Sequence, residues 1–133
     1  MSLHSTHMGD DILKEHSEIL LKLVIENIDD IVVVFDADLN YLIVNDAACN
    51  LLQMQKHKLI GKNLLELFPN LTASNSHRQL LHALSGKTTM DARSEGTFTR
   101  EGAKYTTSYH PLKNKGMVFA ILAITKKIYF PNL

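Results

Sequence analysis

The chain is 133 residues long, with 45% hydrophobic and 21% charged residues, a globular balance that leaves room for one domain and excludes a fibrous or disordered chain. Fourteen Lys and Arg against fourteen Asp and Glu leave no net charge, so no broad field draws nucleic acid, an anionic membrane or an acidic substrate. The longest wholly apolar run, Met117 to Ile124, falls far short of the roughly 20 residues that span a bilayer.

No secretory signal opens the chain and the lone Cys49 forms no internal disulfide, so a cytoplasmic location is expected. Residues 1–10 include a polar, aperiodic opening and read as a leader or disordered start outside the fold. From about Asp11 to Asn27, Ile12, Leu13, Ile19, Leu20, Leu23 and Val24 recur at helical spacing, with Asp10 or Asp11 available as N-cap; the segment 11–28 is taken as an amphipathic helix. Within it Leu13, His16, Leu20, Leu23 and Asn27 step by threes and fours, as along the seam of a short coiled coil. Two uses of that face stand open: pairing with a second copy, or packing on the domain's own sheet.

Ile31–Asp36 and Tyr41–Asn45 are β-branched and aromatic runs separated by the polar turn cluster 37–40, which predicts two antiparallel strands. Asn45 or Asp46 then caps a short helix, Ala47 to Leu52. Residues 56–73 mix polar and apolar positions around Gly61 and Pro69 and predict short helical turns. Ser76 with Gln79 reads as a capping box for a helix running to Ser85, with Gly86 placed to take the left-handed position after its end.

Three strands are predicted at about Thr88–Thr97, Ala103–Leu112 and Gly116–Thr125, joined at Glu101-Gly102 and at Asn114-Lys-Gly116. In the middle strand Ala103, Tyr105, Thr107 and Tyr109 share one face and Lys104, Thr106, Ser108 and His110 the other. The last strand is apolar on both faces, as a central strand should be. The expected class is α+β, with short helices on one face of a five-stranded antiparallel sheet and the amphipathic helix ahead of it.

This element order resembles the PAS family over about Ile19 to Lys127. The stretches that carry the resemblance are Ile31–Asp36, Val44-Asn45-Asp-Ala-Ala48, Leu59-Ile-Gly-Lys-Asn-Leu-Leu-Glu-Leu-Phe-Pro69, Arg100-Glu-Gly102 and His110-Pro-Leu112. The resemblance implies a sheet in the order 2-1-5-4-3 whose helices close over a small-molecule pocket, with the PAS domain at 29–127 and a tail, 128–133, leading toward an effector region. One departure is plain: family members often close with Asp-Ile-Thr, where this chain has Ala123-Ile-Thr125, so the usual polar output contact is missing.

The implied function is that of a sensor or regulatory module in signal transduction, as in a two-component histidine kinase, a diguanylate cyclase or a transcription regulator. It would bind a small ligand or a partner and form a homodimer through the N-terminal helix and the sheet face. The alternative is a ligand-free protein–protein interaction module. Pocket candidates are His77, Leu80, Leu81 and Leu84 on the capped helix, with Phe35, Tyr105, Tyr109, Phe119 and Ile121 on the sheet; the same side chains would simply fill a core.

The ligand is not identified, and neither haem nor flavin is expected. Haem-binding relatives use a His about two residues earlier on the helix, where this chain has Asn75, and the light-sensing branch needs a reactive Cys where Leu64 stands. Metal binding is not expected either, because His77 and His82 are five apart and fall on different faces of one helix. Ser85-Gly-Lys-Thr-Thr89 echoes a phosphate loop, but position 81 is Leu and the segment follows a helix, so it reads as a C-cap and turn. No catalytic constellation appears, and no enzymatic activity is expected of this chain.

Overall fold

The structure, a computed structural model, describes residues 3–93 and 104–128, with side chains over 15–91 and 105–127. In chain order these are α1 Leu3–Glu26, β1 Ile31–Asp36, β2 Tyr41–Val44, α2 Asp46–Leu52, α3 Lys56–Leu59, α4 Leu64–Leu67, a 3-10 helix Pro69–Ala73, α5 Asn75–Leu84, β3 Thr89–Arg93, β4 Lys104–Asn114 and β5 Met117–Ile128. The strands form one antiparallel sheet in the order β2-β1-β5-β4-β3, as the resemblance implies. The central pair joins the two halves of the chain: Ile31 to Asp36 of β1 lie opposite Thr125 to Ala120 of β5. The Glu101-Gly102 turn, residues 94–97 and the tail beyond Ile128 lie outside the described residues.

Local chemistry sets most of the boundaries. Asn45 caps α2, its side chain accepting from the Ala48 amide, and Asn63 caps α4 through the Leu65 amide. Gly86 takes φ +99° just past α5, where a side chain would be strained. The β4–β5 turn has positive φ at both central residues, Lys115 at 53° and Gly116 at 79°, the geometry that follows the twist of a tight hairpin. Asp36 ties the β1–β2 turn, accepting from the amides of Asp38 and Asn40 and from Asn40 Nδ2. Asn63 Nδ2 donates to the Asp38 carbonyl and to Asn40 Oδ1, and so fastens that turn to α4.

Two sequence expectations are corrected. The cap of α5 is Ser74, which accepts from the His77 amide; Ser76 lies inside the helix, and the Ser76–Gln79 spacing is not its cap. The first helix starts at Leu3 and not near Asp11, so residues 3–10 continue it: no proline interrupts the segment, and a nucleated helix gains one hydrogen bond per added residue.

The core lies between the sheet and the helices. Val33, Phe35, Tyr41, Val44, Tyr109, Ile121 and Ala123 of the sheet join Leu39, Ala48, Leu59, Leu64, Leu71, Leu80 and Ala83 in one buried cluster. α2 packs on β1, and α5 crosses β3, β4 and β5. On the outer face Val32 and Val34 lie opposite Ile124 and Leu122, and Ile43 stands opposite Val34. That face is thus apolar as well, with Leu122, Ile124 and Ile43 only half-buried.

Candidate functional site

The structure sorts the pocket candidates into three groups. Phe35, Leu80, Tyr109 and Ile121 meet in the core, and Leu84 packs partly buried against it. Tyr105 is half-buried on β4. His77, Leu81 and Phe119 lie outside the cluster. The Nδ1 atom of His77 stands 2.7 Å from the Thr72 carbonyl, which holds the ring against the 3-10 helix. Leu81 is 48% exposed, because Leu80, Ala83 and Leu84 form the inward stripe of α5. Phe119 is 54% exposed, although strand alternation would put it beside Ile121. The register shifts between Leu112 and Lys113, so that Leu112 faces Ala120 while Lys113 faces Val118, and Phe119 is the extra residue of that bulge.

Behind the apolar cluster runs a polar row. Asp91 lies opposite Thr107 and Thr107 opposite Thr125; Asp91 is 8% exposed, and the two threonine hydroxyls are 2.8 Å apart. One step along, Thr89 lies opposite Tyr109, with a buried hydroxyl that has no hydrogen-bond partner. Hydroxyls and a carboxylate in this row can hold a polar group by hydrogen bonding, and alternation placed Thr107 and Tyr109 on one face in advance. Among the described residues no three His, Cys, Asp or Glu side chains gather to hold a metal ion.

A second constellation sits where α1 joins the domain. Asn45, 1% exposed, accepts from the Val32 and Ala48 amides through Oδ1, at 3.1 and 3.0 Å. Its Nδ2 donates to the carbonyls of Asp30 at 2.7 Å and Ile28 at 3.5 Å. One side chain therefore binds β1, α2 and the linker that follows α1. Beside it Lys56 Nζ lies 2.9 Å from Glu26 and 3.6 Å from Asp46. Sequence reasoning saw Asn45 only as a helix cap, and Lys56 and Glu26 are 30 residues apart, a separation over which no local pattern signals contact.

Cys49 borders this cluster. Burial pushes its thiol up, Lys56 pulls it down, and the carboxylates of Asp46 and Glu26 push it up again, for a net rise. A raised thiol is less ionised at neutral pH than a free one, and the thiolate is the nucleophile. Cys49 should therefore react with an aromatic disulfide reagent more slowly than a free thiol at pH 7.5, the rate climbing as the pH rises past the ordinary thiol range. By the same sign its protonated form favours the fold below that range, a contribution lost as pH rises through the folded value. Reaction at pH 7.5 as fast as that of free cysteine would refute the assignment.

A family model described as the PAS fold matches residues 25–128. The chain belongs to the PAS family. Solved structures superpose on it at low identity: a sensory box sensor histidine kinase from Vibrio cholerae at 17% identity and TM-score 0.68, over 93% of this chain and 99% of that one, and the PAS domain of BvgS from Bordetella pertussis at 19% and 0.69, over 86% and 88%. A PAS domain of an HTR-like protein from Haloarcula marismortui follows at 23% and 0.60, over 86% and 99%. At these identities the likeness carries the fold. No curated protein sequence is matched. Among the described residues of this PAS domain, no helix is long and apolar enough to cross a membrane.

Proposed function

We propose that this PAS domain is the sensory or regulatory module of a cytoplasmic signal-transduction protein, a histidine kinase, diguanylate cyclase or transcription regulator, and that it works as a homodimer through α1 and the outer sheet face. The domain itself carries no catalytic step. A ligand or partner that binds one arrangement of the dimer better than another shifts the population between them, by no more than that difference in affinity.

The carrying observation is the direction of α1. Among its described side chains only Ile25 is buried, while Ile19, Leu20, Leu23 and Val24 are 57%, 36%, 53% and 58% exposed. At 100° per residue the mean direction of Ile19, Leu20 and Leu23 lies about 165° from Ile25. The apolar stripe thus points away from the domain to which Ile25 anchors the helix, and among the described residues no other element packs broadly against α1. An apolar stripe at coiled-coil spacing is stable in water when it meets another of its kind, and a second copy supplies one.

A ligand-free interaction module remains the second reading, favoured by the interior: Leu59, Ala83 and Ile121 have no accessible surface at all, which leaves no water-sized void beside them. Native mass spectrometry separates the two, since a ligand appears as an added mass that denaturation removes. For the dimer, sedimentation equilibrium should give twice the chain mass for the parent and the single mass for a Leu20→Glu, Leu23→Glu variant. A parent that stays monomeric to high concentration would sink the proposal.

A further inference from the structure

Two surfaces compete for the stripe on α1. One is the stripe of a second copy. The other is the outer face of the domain's own sheet, where Ile43, Leu122 and Ile124 are half-buried and Met90 is 67% exposed. Only residues 27–30 separate α1 from β1.

What holds the linker is the Asn45 and Lys56 constellation. Asn45 Nδ2 grips the carbonyls of Asp30 and Ile28. Lys56, at the start of α3, reaches back to Glu26 in the last turn of α1 at 2.9 Å. Asn27 Nδ2 closes that turn on the Leu23 carbonyl at 2.7 Å. The two grips differ in kind: the Asn45 bonds belong to a fully buried group that also caps α2, whereas Lys56 and Glu26 side chains keep 42% and 21% exposure. A partly exposed ion pair is worth little and yields readily to competing charge or salt, so it is the part of the joint that opens first.

We propose that the Glu26–Lys56 pair is a latch that keeps α1 pointing away from its own sheet, and that its release lets α1 turn about residues 27–30, drawing Ile25 out of its buried seat, so that the same stripe folds back on the outer sheet face and is withdrawn from the second copy. The inference rests on the dimer reading above. Lys56 lies 3.6 Å from Asp46 at the start of α2, so a shift of α2 against α3 moves the latch directly. A ligand or partner that displaces either short helix is thereby coupled to the dimer without touching α1.

The test uses the full chain with Lys56→Met. Two latches are lost per dimer, so the dimer dissociation constant measured by sedimentation should rise about tenfold, with the far-ultraviolet helical signal unchanged. The conservative variant Lys56→Arg, which keeps the positive charge toward both Glu26 and Asp46, should leave the constant within about twofold of the parent. The second readout is energy transfer between dyes on Lys22→Cys and Met90→Cys in a Cys49→Ala background, taken at nanomolar concentration where the chains are separate. Transfer should rise in Lys56→Met as α1 closes on the sheet.

An unchanged dissociation constant in Lys56→Met overturns the latch, and a weakened dimer without increased transfer overturns the folding back. A parent that never dimerises sinks the dimer reading instead, and the transfer measurement then still decides whether the latch sets the direction of α1.

Discussion

Asn45→Ala should lower the stability of the domain by roughly 3 kcal/mol, read as the shift in the urea midpoint at constant slope. Three losses add up. The first turn of α2 loses its cap, worth about 1 kcal/mol. The buried Val32 amide loses its acceptor and the Asp30 carbonyl its 2.7 Å donor, and a buried polar group left unpaired costs about 1–3 kcal/mol. The side chain is 1% exposed, so water cannot replace it. A loss below about 1 kcal/mol would mean that the site relaxes or hydrates, and that Asn45 is an ordinary cap.

Ile121→Ala should cost roughly 3–4 kcal/mol, because the side chain is wholly buried at the crossing of Phe35 and Pro111 and its removal leaves a cavity that close packing cannot fill. Phe119→Ala, two residues away on the same strand, should cost under about 0.5 kcal/mol, as expected for a surface substitution. The pair tests the bulge directly. Simple alternation gives both side chains the same surroundings and similar losses, whereas the shift at Leu112 and Lys113 predicts a several-fold difference. Calorimetry or denaturant unfolding of both variants decides, and equal losses would contradict the observed register.

The latch and the packed interior bear on how a signal would move through such a domain. If no ligand enters between α5 and the sheet, the elements free to shift are α2 and α3, and these are the ones that Lys56 ties to α1. The chain lacks the Asp expected in its closing Ala123-Ile-Thr125, and Thr125 spends its hydroxyl on Thr107. A route through the N-terminal joint would make the missing C-terminal contact unnecessary.

Much of this was legible in residue order. The runs 31–36 and 41–45, a cap at Asn45 or Asp46, the left-handed Gly86 and the Lys115-Gly116 turn are each decided within a few residues by backbone sterics and short-range hydrogen bonds, and the sheet order followed from the resemblance to the PAS family. The candidate site was less legible. The burial of Phe35, Leu80, Tyr109 and Ile121 follows from their period-2 and period-3.6 patterns, whether they fill a core or line a pocket. Leu81 and Phe119 were misplaced because a helix phase and a strand bulge each depend on what packs opposite. The α5 cap was read two residues late, since Ser74 bonds the His77 amide without the Glu or Gln that marks a capping box.

Sequence by itself determined the kinds of element, their order and the apolar stripe on the first helix, because those rest on chemistry that repeats every two to four residues. Only the tertiary structure decided where that stripe points. Its direction depends on Ile25, Asn45 and the meeting of Lys56 with Glu26 across 30 residues, and contacts between distant segments leave no periodic trace in the chain that makes them.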